Sequence, residues 1–93
     1  MRVEWSDQAV ADLASIHAYL SQFTPAAALD VIDRITRSAD RLWLFPLSGR
    51  SVPEFESRVV REVIVTPYRV FYLVRSDRID ILAVRHSAQD LPS

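Results

Sequence analysis

Glycine occurs once in this 93-residue chain, at Gly49, and proline only five times. The chain therefore has few places where it can turn sharply, and each of them divides the sequence. Before the glycine the apolar residues recur at helical spacing, and after it they gather in short β-rich runs. That order predicts a small α+β domain, with helices first and a sheet second. Apolar residues make up 49% of the chain, enough for one core and too few for two, so residues 1–93 are expected to form a single domain.

Arg2 to Trp5 reads as a short strand. Ser6 is placed to cap a helix, and Asp7 falls in its first turn, where negative charge complements the helix dipole. Val10, Leu13, Ile16, Leu20 and Phe23 form an apolar stripe that predicts a helix over about 7–22, with Asp12, Ser15 and Gln22 on other faces. Thr24 and Pro25 supply a second cap with proline in the first turn, where its missing N–H is harmless. A stripe of Ala28, Ile32, Ile35, Ala39 and Leu42, widened by Val31 and Trp43, predicts a second helix over about 25–44. Asp30 with Arg34 and Asp33 with Arg37 add pairs in the favourable order. Two helices joined so tightly should form a hairpin.

Phe45 to Ser57 is a loop long enough to suggest more than a connection, or else a crossing anchored by Leu47, Val52 and Phe55. Strands are expected at about 59–65, 69–75 and 78–85. The tail from Ser87 to Ser93 is polar. A two-residue turn at Ser76 and Asp77 would pair Arg75 with Arg78 and fix the register of the last hairpin. One face would then carry Val70, Tyr72, Val74, Ile79, Ile81 and Ala83 beneath the helices. The other would carry Arg69, Phe71, Leu73, Arg75, Arg78, Asp80, Leu82, Val84 and His86. The apolar members of this mixed face exceed what solvent tolerates in one patch, which points to a covering loop, the tail or a partner.

Eleven basic residues, all arginine, stand against twelve acidic ones. A net charge of −1 argues against a general grip on nucleic acid, which needs surplus cations. Cysteine is absent, excluding disulfides and thiolate chemistry. The charged N-terminus lacks the apolar run of a signal peptide, and a cytoplasmic protein is expected. No spacing suggests a metal or a cofactor. His17 reads as a helix-border side chain, and Trp5 and Trp43 as packing residues. Arg69 and His86, brought to one end of the mixed face by that register, are the one pair that could carry chemistry. An arginine that stabilises phosphate charge and a histidine that shuttles a proton would suit phosphodiester cleavage.

Taken together, Ala11 to Leu13 and Tyr19 in the first helix, Pro46 to Glu54 in the loop, Arg61 to Val63, Tyr68 to Tyr72, and Ile79 to His86 resemble the RelE/ParE superfamily of toxins from bacterial type II toxin–antitoxin systems. The resemblance implies an αα-hairpin on an antiparallel sheet and an antitoxin whose C-terminal segment wraps the toxin. On this chain that segment would meet Phe71, Leu73, Leu82, Val84, Arg69 and Arg75, by a helix in a groove or by strand addition.

RelE-like members cleave messenger RNA on the ribosome, and ParE-like members act on DNA gyrase. Where the ribonucleases place basic residues on the strand before Arg69, this chain has Val60 and Glu62. Where they place catalytic groups after the last strand, it has Ser87, Ala88 and Gln89. His86 matches a histidine common in ParE-like sequences. The resemblance therefore implies a ParE-like, gyrase-directed toxin of the plasmid-stabilisation kind, with a ParD-like antitoxin, no cofactor and no catalytic residues. Arg69 and His86 would be catalytic only under the ribonuclease alternative, and a toxin fold that merely binds its antitoxin is a third possibility. The charge agrees, because a ribosome-directed protein is expected to be basic. Residues 47–93 hold seven arginines against six acids, and those arginines read as places for a partner's carboxylates.

Overall fold

The computed structural model describes residues 2–52 and 59–87. The elements in order are β1 (Arg2–Trp5), α1 (Asp7–Ser21), α2 (Pro25–Arg41), β2 (Arg50–Ser51), β3 (Val60–Val65), β4 (Tyr68–Val74) and β5 (Arg78–His86). Among the described residues, no helix is long and apolar enough to cross a membrane.

Both helices start where the capping residues place them. Ser6 Oγ accepts the Ala9 N–H at 3.0 Å, and Thr24 Oγ1 accepts the Ala27 N–H at 3.2 Å, each satisfying a donor that has no partner within the helix. α2 stops at Arg41, short of the expected 44. Leu42 and Trp43 bond back only three residues, to the carbonyls of Ala39 and Asp40, which tightens the last turn, and Pro46 disfavours helical backbone at Phe45.

Five strands form one sheet in the order β1-β5-β4-β3-β2. β1 lies parallel beside β5, and the other neighbours are antiparallel. α1 and α2 pack together on one face. Ala9 from α1 and Ile35, Ala39 and Leu42 from α2 meet Val70, Tyr72, Ile79 and Ile81 there. The buried line of α1 differs from the expected stripe: Ala9 and Asp12 are buried, whereas Val10 and Phe23 are exposed. α1 lies against β5, and the small Ala9 allows close approach, so the contact line is shifted round the helix from the bulkiest residues.

The loop after α2 contains β2, which the sequence did not announce. Its pairs are Arg50 with Glu62 and Ser51 with Arg61. Val52 is buried as an anchor should be, but Leu47 is exposed. The expectations for Phe55, Pro53 and Glu54, and for the tail from Ala88 onward, lie outside the described residues.

The β4–β5 hairpin follows the expected register at its turn, with Val74 opposite Ile79, Leu73 opposite Asp80 and Tyr72 opposite Ile81. The register then shifts, and Phe71 faces Ala83, Val70 faces Val84, Arg69 faces Arg85 and Tyr68 faces His86. One extra residue on β5, Leu82, makes a β-bulge. A shift of one residue exchanges the faces of everything beyond it. Val84 and His86 therefore lie on the helix face, and Ala83 moves to the outer one, reversing the expected assignment. Val84 is 2% exposed and part of the core.

The bulge is held by α1 and its cap. Ser6 donates its N–H to Ile81 O at 3.0 Å and its Oγ–H to Leu82 O at 2.9 Å. Asp12 Oδ2 accepts the Val84 N–H at 2.9 Å. Where β1 ends, α1 continues to satisfy the edge of β5. The run Ile81, Leu82, Ala83 and Val84 is apolar at every position, so alternation could not reveal the change of phase.

Candidate functional site

Around Glu62 the outer face of the sheet is built from residues of three strands. β3 contributes Val60, Glu62 and Ile64, β4 contributes Arg69, Phe71 and Leu73, with Arg75 just beyond its end, and β2 brings Arg50 beside Glu62. At its centre Glu62 is only 1% exposed. Its Oε1 accepts from Arg50 Nε at 2.6 Å, and its Oε2 accepts from Arg69 Nε at 2.7 Å and from a terminal Arg69 nitrogen at 2.6 Å. Arg69 is itself 8% exposed, and its guanidinium lies 4.9 Å from the centre of the Phe71 ring. A buried carboxylate held between two guanidiniums keeps each charge compensated, and removing one partner would leave the others costly.

The loop that delivers Arg50 is fixed from behind. Tyr72, fully buried, donates its hydroxyl proton to Pro46 O at 2.8 Å and accepts the Gly49 N–H at 2.9 Å. A Cβ on residue 49 would stand 2.5 Å from both Glu62 O and the Tyr72 hydroxyl, so the chain's one glycine is required by close approach. Burial pushes the Tyr72 phenol above its ordinary range, against the opposing pull of the Gly49 hydrogen bond and the Arg61 charge.

His86 belongs to a different place. Its ring meets Tyr68 edge to face, with centroids 5.6 Å apart. Both line a hollow of about 400 Å³ on the helix side, with Ser15, Ile16 and Tyr19. Burial, and then the neighbouring Tyr19, raises the Tyr68 phenol. Arg69 and His86 are thus on opposite faces of the sheet, and the bulge that separates them corrects the shared end proposed from sequence.

Of the residues expected to meet an antitoxin, Leu73 is half-buried and Arg75 exposed on the outer face. Phe71 and Arg69 lie on that face but are closed, Leu82 is the inserted residue, and Val84 is in the core. At the hairpin end Arg75 and Arg78 flank Asp80, with the Arg78 Nε 2.8 Å from it. The hydrogen bond from Arg75 chiefly, with Arg78 beside it, holds the Asp80 carboxyl below the usual carboxylate range. The residues that sequence reasoning missed are Glu62 as the centre of the outer face and Asp12 as the holder of the bulge. One signal for Glu62 was present: a lone acid among the strand residues Val60 to Val65, next to Arg69.

The family model for the ParE toxin of the type II toxin–antitoxin system parDE matches residues 3–91. The chain belongs to the ParE toxin family. This toxin is 36% identical over 89 residues to Toxin RelE2 of Caulobacter vibrioides, a match covering 95% of this chain and 97% of the relative. A solved structure of a chromosomal ParDE system from P. aeruginosa superposes with a TM-score of 0.77 at 26% identity, covering 92% of this chain and 95% of that one. The RelBE2 toxin–antitoxin complex of Mycobacterium tuberculosis shares the fold, with a TM-score of 0.61 at 20% identity over 95% of this chain and 92% of that one. The chain is a toxin of a type II toxin–antitoxin system, with the two-helix, five-strand α+β fold of ParE and RelE toxins.

Proposed function

We propose that this toxin acts in the cytoplasm on DNA gyrase, blocking replication and arresting growth until a ParD-like antitoxin covers it. The observation that carries the reading is the separation of Arg69 from His86. Arg69 is bound to Glu62 in the outer face, while His86 packs on Tyr68 on the helix side. The one pair that could have served phosphodiester cleavage is not assembled as such a reaction requires. The outer face offers Leu73, Ile64 and Val60 with Arg75 and Arg50 at its margins, a surface for an apolar segment bearing acidic residues.

A second reading, cleavage of messenger RNA on the ribosome, draws on the name of the Caulobacter relative, Toxin RelE2. The experiment adds one preparation of the toxin to a gyrase supercoiling reaction and to cell-free translation. The proposal expects supercoiling to fall and translation to continue. Arrested translation with cut messenger and undisturbed supercoiling would overturn it in favour of the ribonuclease. Silence in both, with the antitoxin still bound, would overturn it in favour of an inactive binding fold. His86→Ala, a change at an exposed side chain, should leave toxicity unchanged.

A further inference from the structure

α2 presents Arg34, Arg37, Ser38 and Arg41 along one side, facing the end of β3. With Ile64, Val65 and Thr66 they line a groove of about 480 Å³. A second hollow of about 360 Å³ shares Ser38 and Arg41 and adds Phe45, Ser48 and Val63. Among the described residues the lining contains three arginines and no acid. Arg34 donates to Thr66 O at 3.0 Å, and Arg37 pairs with Asp33 on its own helix. The Arg41 side chain makes no hydrogen bond or ion pair among the described residues.

The β3 wall of this groove is an open edge. β2 pairs with β3 only at Arg61 and Glu62, so among the described residues Val63 to Val65 have no strand on that side. Ile64 is 44% exposed. Such an edge leaves backbone N–H and C=O groups available to a further strand. The lining places Arg34 beside Thr66, and Arg41 beside Val63, so helix and strand run alongside in opposite directions. Arg37 and Arg41 are about 6 Å apart along the helix axis, and alternate residues of an added strand repeat at about 6.8 Å. A carboxylate at every second position would therefore keep step with the arginines.

We propose that this groove binds an extended acidic segment of a partner protein. The segment joins the sheet beside β3 and sets alternate carboxylates against Arg37 and Arg41. The groove shares Ile64 with the outer face proposed for the antitoxin and otherwise lies on the α2 side of the β3 edge, and the inference stands whether the toxin's target is gyrase or the ribosome. A peptide is favoured over nucleic acid because the open strand edge and the exposed Ile64 and Phe45 suit a backbone with apolar side chains. A chain of net charge −1 also has no general attraction for a polyanion.

The test titrates the intact toxin with a labelled peptide of alternating glutamate and valine, a lysine-for-glutamate version, an N-methylated glutamate version and a short single-stranded RNA. The glutamate peptide should bind and shift the amide resonances of Ile64, Thr66 and Arg41. Arg41→Glu and Arg37→Glu should each weaken it by about fivefold, the scale of an exposed charge pair. N-methylation should weaken it at least as much. Both arginines are exposed, and circular dichroism would confirm that the variants fold. Equal binding of the lysine peptide, indifference to N-methylation, tighter binding of RNA, or no binding of the glutamate peptide would each overturn the proposal.

Discussion

The Asp12 carboxylate accepts the backbone N–H of Val84 at 2.9 Å, joining α1 to β5 two residues beyond the inserted Leu82. Its other oxygen accepts from Gln8 Nε2 at 2.8 Å, so a buried acid has both oxygens engaged. β1 reaches only as far as Ile81, and without Asp12 the Val84 amide would be an unpaired donor in the core. Asp12→Ala should therefore cost about 1–3 kcal/mol, and Asp12→Asn, which keeps an acceptor oxygen, distinctly less. Urea unfolding gives the two values, and hydrogen exchange at the Val84 amide should quicken in the alanine variant. Equal stability of alanine and wild type would mean that Asp12 does not hold the bulge.

The contact between Gly49 and Tyr72 makes a second prediction. In Gly49→Ala the new methyl would meet the Glu62 carbonyl, which is backbone and cannot rotate away, as well as the Tyr72 hydroxyl. Overpacking of this kind should destabilise the fold by about 1–3 kcal/mol. Tyr72→Phe strands the Pro46 carbonyl and the Gly49 N–H and should cost about 1–3 kcal/mol. The two changes share a partner, so the double variant should lose less than the sum of the single losses. Full additivity in a denaturation series would refute the coupling.

Glu62 predicts a contrast between its two arginines. Its carboxylate is completely buried, as is nearly all of Arg69, whereas the Arg50 side chain is 66% exposed. Glu62→Ala leaves Arg69 buried without its counter-charge and should cost about 3–5 kcal/mol. Arg50→Ala leaves Glu62 paired with Arg69 but takes the donor from its buried Oε1, while the lost cation was itself largely solvated, and should cost less, about 1–3 kcal/mol. Thermal unfolding of the two variants tests this ordering, which a comparable loss in both would contradict.

These residues also mark how far the sequence could be read. Caps at Ser6 and Thr24, the stripe of Ile35, Ala39 and Leu42, and the turn at Ser76 and Asp77 are local signals, and each had its expected structural outcome. The bulge at Leu82 is not local. Whether β5 carries an extra residue depends on Ser6 and Asp12, more than seventy positions away by sequence number, and four successive apolar residues hide the slip. That single slip took Val84 out of the proposed antitoxin surface and parted His86 from Arg69. Asp12 falls off the apolar stripe of its helix, and its burial depends on a bond to the distant Val84 amide that no local pattern shows. Glu62 differs in kind: its position on the strand was legible, but its arginine partners come from two other strands.

The hairpin end gives the remaining prediction, a dependence of stability on pH. Asp80 hydrogen-bonds Arg75 and Arg78, and its folded-state carboxyl lies below the ordinary value. A lowered carboxyl contributes stability that is complete above the unfolded-state value and is lost as the pH falls through the folded-state value. Asp80→Asn, which cannot ionise, should remove this contribution at neutral pH and lose less on acidification than the wild type. The partners are partly exposed, with Arg75 at 49%, so the difference at neutral pH should be less than about 1 kcal/mol. Moderate salt should shrink it further, because exposed pairs are screened. Unfolding curves for wild type and variant at neutral and acid pH should converge as Asp80 is protonated, and parallel curves across that range would show that the arginines do not hold Asp80 in the folded state.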